Sequence, residues 1–159
     1  MSSNSRHLVG ETIRTDIAFC AADLNSGKTS EVYLSMADCQ KIAGIVLVHL
    51  SPGKKVVLQL KQATDSAGTG SKNLGSAVTV TNTGHSRDVI ARVETRADSL
   101  DADNDFVYVG LNADTDESAT GAGIFLRYGN TFHDGIAEVS LSEISVTTTT
   151  VTPTTTAGE

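Results

Sequence analysis

The densest set of cation-binding side chains is Asp98-Ser99-Leu100-Asp101-Ala102-Asp103-Asn104-Asp105. Alternate aspartates at 101, 103 and 105 match the opening of an EF-hand calcium loop. The rest of that loop is missing. Phe106 stands where the sharp turn needs glycine, and Asn112 where a bidentate glutamate closes the shell. The stretch therefore reads as an acidic turn in which Asp and Asn side chains bond their own backbone, a weak cation site at Asp101–Asp105 being the alternative. Asp114-Thr115-Asp116-Glu117 reads as a solvated loop. Gly68-Thr69-Gly70-Ser71-Lys72 echoes a phosphate loop but lacks the GxxxxGK[ST] spacing and a following helix, so it reads as a hairpin tip. His7, His49, His85 and His133 share no HxH or HExxH spacing, and His49, near the end of an apolar strand, reads as a satisfied structural residue. No GxSxG elbow offers a serine nucleophile. No catalytic, cofactor or metal residue is assigned, and the chain reads as a non-enzyme.

Composition narrows the field further. At 159 residues the chain is about one domain long. A domain of that size buries about two-thirds of its unfolded surface. Aromatics make up only 4% and Trp is absent, so the core must be built from Val, Ile, Leu and Ala. A net charge of −7 repels phosphate backbones and anionic lipid, which argues against nucleic-acid and membrane partners. Cys20 and Cys39 have no zinc or CxxC spacing, and each reads as a small buried apolar residue with a free thiol, a single Cys20–Cys39 bridge being the alternative. Free thiols fit folding in a cytoplasm. The opening Met1-Ser2-Ser3-Asn4-Ser5-Arg6-His7 leads into no apolar core of a signal peptide, and the longest apolar run, 42–50, is too short to span a bilayer.

The elements that would carry these residues have a period of two. Residues 12–19 place Ile13, Thr15, Ile17 and Phe19 on one face, and residues 31–36 place Val32, Leu34 and Met36 together. Residues 37–41 suit one helical turn. Gly44-Ile45-Val46-Leu47-Val48 reads as a strand buried on both faces. Ser51-Pro52-Gly53-Lys54 is a turn, so residues 45–62 are expected to form a hairpin. Further strands are expected at 77–81, 89–95, 106–111, 123–128 and 136–146. Short strands at this spacing predict an all-β antiparallel β-sandwich, Greek-key or jelly-roll-like, over residues 12–146. An N-terminal arm, 1–11, precedes it. A Thr-rich C-terminal tail, 147–159, follows and has too few apolar residues to build a core.

Several phrases have a family likeness: Leu58-Gln59-Leu60-Lys61-Gln62-Ala63-Thr64-Asp65-Ser66-Ala67-Gly68, Arg92-Val93-Glu94, Asp98-Ser99-Leu100-Asp101 and Phe106-Val107-Tyr108-Val109-Gly110-Leu111. Together, over residues 56–129, they resemble virion structural proteins of tailed bacteriophages, in particular capsid decoration, or cement, proteins. The resemblance implies a β-sandwich on the outer capsid surface, made in the host cytoplasm. Its implied partners are the major capsid protein and further copies of itself, as a homotrimer. The arm and tail lie outside the resemblance. A neck or tail component of the same particle, or a carbohydrate-binding module, are the alternatives, the last disfavoured by the lack of Trp. The two ends are expected to lie extended against other subunits, with Leu8, Val9, Val146 and Val151 as apolar anchors. Strand-like pairing would supply main-chain hydrogen bonds without deep pockets.

Overall fold

A computed structural model of the chain describes residues 13–84 and 87–129. Nine strands carry it: β1 (Ile13–Asp23), β2 (Lys28–Thr29), β3 (Leu34–Ser35), β4 (Lys41–Leu50), β5 (Lys55–Ala63), β6 (Lys72–Thr81), β7 (Arg87–Arg96), β8 (Tyr108–Thr115) and β9 (Thr120–Tyr128). Two short 3-10 turns, Ala97–Ser99 and Ala102–Asn104, join β7 to β8. The described residues hold no α-helix.

Pairing is nested. β5 pairs β6, β4 pairs β7, β2 and β3 pair β8, and β1 pairs β9, all antiparallel. The chain is thus one long antiparallel ribbon doubled at the β5–β6 turn. Two further ladders, β4 with β9 and β5 with β8, roll that ribbon into two layers. The first sheet has the order β1-β9-β4-β7. The second has the order β2-β8-β5-β6, with β3 also on β8. The result is an antiparallel β-sandwich with jelly-roll winding. Between the sheets lie Ile42, Val46, Val48, Leu50, Val56, Leu58, Leu60, Val109, Leu111 and Phe125, each almost wholly buried. Burying an aliphatic side chain of this size stabilises by roughly 1.5–3 kcal/mol. Branched residues also suit the pleated backbone, because their stiff χ1 loses little there.

Several sequence expectations are corrected. Residues 45–62 do not form a hairpin. The turn itself is present, with Lys54 N–H donating to the Ser51 carbonyl and Gly53 at φ 79°. It carries the chain from β4 in one sheet to β5 in the other, as the same local turn chemistry allows. Ile17 does not share a face with Phe19. Register shifts at Ile17/Phe19 and Phe19/Ala22 turn Ala18 and Phe19 inward and leave Ile17 73% exposed. Such bulges add a residue and re-aim the side chains after it. They also put Cys20 at the surface, whereas Cys39 is buried. Of residues 31–36, only β3 pairs as a strand, because the Tyr33 N–H leaves the ladder for the Ser66 carbonyl. Residues 37–41 contain one turn, closed from Cys39 N–H to the Met36 carbonyl, and Lys41 already belongs to β4. The strand expected at 136–146 lies outside the described residues, as do the boundaries placed at 11/12 and 146/147.

Candidate functional site

The two sheets turn different chemistry outward. In the first, Ile42, Val46, Val48 and Leu50 of β4 point into the core, so Ala43, Ile45, Leu47 and His49 point out. Register then gives outer rows across the sheet. Ile17, Ile124, Ile45 and Arg92 form one. Thr15, Leu126, Ala43 and Glu94 form the next, and Ala122, Leu47 and Ile90 a third. Ile17 is 73% exposed, Ile90 69% and Leu47 48%. The strand expected to be buried on both faces is thus covered on one side and partly open on the other. In the second sheet the outward partners are Lys61 with Asn73, Gln59 with Asn112, Lys55 with Thr81, and Val57 between Thr79 and Asp114. One sandwich therefore has an apolar outer face and a polar one. Contiguous exposed apolar surface on a soluble domain marks an interaction site.

A depression of about 340 Å³ opens on the apolar face, lined by Cys20, Ala21, Leu47, Val48, His49, Asp88, Thr120, Gly121 and Ala122. His49 Nδ1 lies 3.1 Å from Asp88 Oδ1. His49 is therefore a partnered residue near the end of β4, as the sequence suggests, with its side chain 62% exposed. A thiol, an imidazole and a carboxylate in one depression are the parts of a nucleophilic site. Asp88 is 71% exposed at its side chain, so the grouping is open to solvent. Sequence reading missed this grouping because Cys20, His49 and Asp88 come from three strands, and Cys20 faces out only through the β1 bulges.

The acidic turn is built differently from expectation. Asp101 does not cap its own backbone with its side chain. Its Oδ2 accepts from Lys72 Nζ at 2.5 Å and its Oδ1 from Asn104 Nδ2 at 2.8 Å. Lys72 also sits 3.9 Å from the centre of the Phe106 ring. The Lys72 hydrogen bond holds the Asp101 carboxyl below its ordinary pKa. Asp101 N–H donates to Gln62 Oε1, so the turn is tied to the end of β5. Among the described residues no cluster of three or more His, Cys, Asp or Glu is placed to hold a metal. The Gly-rich stretch is a hairpin tip, ordered by Asp65 Oδ1, which accepts from Ala67 N–H and Thr69 N–H. At one end of the sandwich interior, on the inward side of β9, Arg127 Nε and Nη2 donate to Asp16 Oδ2 at 3.0 and 2.9 Å, and Nη1 donates to the Ser35 carbonyl. Leu8, Val9, Val146 and Val151 lie outside the described residues.

No protein-family model matches the chain, and no curated protein matches it. Among solved structures it is similar to the structure of infectious bursal disease virus, Gx strain. There the TM-score is 0.40 and the identity 9%, over 76% of this chain and 32% of that one. It is also similar to the crystal structure of PirA, with TM-score 0.34 and 14% identity over 79% of this chain and 100% of that one. The chain spans about a third of the length of the viral chain it matches.

Proposed function

We propose that this chain is a non-enzymatic virion structural protein of the capsid-decoration type. The apolar outer face of its first sheet lies against the capsid shell, and the polar outer face of the second is left to solvent. The single observation that carries this reading is the unlike chemistry of the two faces. A jelly roll alone does not choose a function. The exposure of Ile17, Leu47 and Ile90 does favour a partner, because covering each returns roughly 1–2 kcal/mol. The net charge of −7 and the likeness to phage decoration proteins support the same reading. The ends, through Leu8, Val9, Val146 and Val151, add contacts to neighbouring subunits on the shell. A glycan-binding role finds no aromatic platform among the described residues: Phe19, Tyr33 and Phe125 are buried, and Phe106, Tyr108 and Tyr128 are half-buried.

The test is binding to particles stripped of this protein. Ile17→Asp with Leu47→Asp removes about 2–4 kcal/mol of apolar contact, so affinity should fall about thirtyfold or more. Lys61→Ser with Asp114→Ser, on the other face, should leave binding unchanged. A chain shortened to residues 11–145 should stay folded and bind less tightly. Full binding by the Ile17/Leu47 variant would refute the assignment of the face.

A further inference from the structure

The two sheets have four edges, and three of them are broken. β1 carries two register shifts. β2 and β3 are two residues each. β6 is shifted opposite Leu58 and Leu60. Interruptions of this kind stop a sheet from growing by edge pairing. β7 has none of them. All ten of its residues pair with β4 in unbroken register, and its other edge pairs with no described strand. Val89, Ala91 and Val93 point into the core, so Asp88, Ile90, Arg92, Glu94 and Arg96 point outward. A regular edge that no described strand covers, with an isoleucine 69% exposed at its middle, is a template for another strand.

We propose that this edge joins two copies of the chain, β7 against β7, antiparallel about a twofold axis at Ile90. The order Asp88, Ile90, Arg92 is complementary to its own reverse. In that register Ile90 meets the second copy's Ile90, and each Asp88 meets an Arg92, twice over. Registers centred on the other residues from 89 to 94 fail. Centring on Arg92 or Glu94 sets like charges face to face. Centring on Ala91 sets Asp88 opposite Glu94. Centring on Val89 or Val93 leaves Ile90 opposite a charged residue. Cross-strand pairs of opposite charge and of aliphatic residues stabilise a sheet, and like charges directly opposite destabilise it. An isologous contact of this form closes on itself and does not propagate into fibres.

The experiment uses the purified full chain, without particles, so it is independent of the capsid reading. Sedimentation over a concentration series should show a monomer–dimer equilibrium. Asp88→Arg alone and Arg92→Asp alone each make two attractive pairs repulsive and should weaken the dimer about tenfold or more. The double exchange should restore it. Asp88 is 71% exposed at its side chain and Arg92 is exposed, so the fold should survive the loss of the His49–Asp88 contact, as cooperative melting of each monomer would show. Ile90→Cys in a Cys20→Ser background should give a covalent dimer on mild oxidation. Opposed antiparallel residues lie about 4.5–5.5 Å apart at Cα, within disulfide reach. Arg92→Cys in the same background should not. A chain that stays monomeric at all concentrations, a double exchange that stays weak, or equal cross-linking at positions 90 and 92 would each overturn the proposal.

Discussion

Tyr33 sits between two glycines, and enlarging one of them is a sharp test of how the polar face is built. Its ring is 5% exposed and lies over Gly110 of β8, beneath the β5–β6 tip. A Cβ on Gly110 would stand 2.5, 2.7 and 2.8 Å from three ring atoms. Ordinary carbon contacts need about 3.5–4.0 Å, so the ring would have to retreat by about 1 Å. It cannot retreat freely, because a Cβ at Gly68, on the loop side, would itself stand 2.6 Å from the ring. The Tyr33 N–H, held at 2.9 Å by the Ser66 carbonyl, fixes the backbone as well. Overpacking of this kind costs about 1–3 kcal/mol. The smaller entropy of an unfolded alanine chain returns about 0.4–1 kcal/mol. Gly110→Ala should therefore destabilise by about 1–2 kcal/mol, which for a chain of 159 residues is about 2–8 °C in Tm. Tyr33→Leu in the alanine background should cost less than Tyr33→Leu alone, a coupling measurable by urea unfolding of the four variants. A Gly110→Ala chain as stable as the parent, or strictly additive effects, would refute the clamp.

Stability should fall at both ends of the pH scale. Asp23, Asp65, Asp101 and Asp116 are held below the ordinary 3.8 by hydrogen bonds, first from Asn25 N–H, the Thr69 side chain, Lys72 and Lys55 N–H respectively. Their contribution is present above 3.8 and is lost as pH falls through the lowered values, so Tm should drop in acid, with a shallower fall in Asp101→Asn. Tyr128 is pushed up to about 12 by burial and by its bond to Glu94, so its contribution is full below 10 and is lost as pH rises toward 12. Tyr128→Phe should flatten that alkaline fall in thermal melts. Thiol labelling should be biphasic: exposed Cys20 reacts fast, and Cys39 reacts slowly, since it is buried against Met36 Sδ at 3.3 Å and burial raises its pKa. Two equal fast phases would contradict the packing of Cys39.

Strand positions were legible wherever alternation was regular. The expected strands at 89–95 and 123–128 fall inside β7 and β9, and 77–81 is the second half of β6. Layer assignment was not legible. Ser51-Pro52-Gly53-Lys54 closes the same turn whether the next strand pairs beside the last or crosses to the other sheet, because the difference lies in partners distant in sequence. The long-range ladders β4 with β9 and β5 with β8 decide it. The bulges of β1 were also silent, since Ile17-Ala18-Phe19-Cys20 shows no glycine or proline to announce them. The Cys20, His49 and Asp88 grouping was lost with them.

The most useful mismatch concerns β4. Its run Ala43-Gly44-Ile45-Val46-Leu47-Val48 has the composition of a strand packed on both sides. Within the sandwich only one side is packed: Val46 and Val48 are sealed, while Leu47 is 48% exposed and its neighbour Ile90 69%. The outward residues of β9, Ala122, Ile124 and Leu126, continue the same chemistry. A sheet that merely faced water would alternate apolar with polar, as the second sheet does with Lys61, Gln59 and Lys55. The sequence of the first sheet thus specifies a cover that the described residues do not supply. The β1 and β6 bulges and the broken β2–β3 edge limit where that cover can pair by backbone. What remains is a broad apolar face for shape-matched contact and one regular edge, β7, for strand pairing. Two such surfaces meeting at Ile90 are what a part needs if it must hold both a shell and its own neighbour.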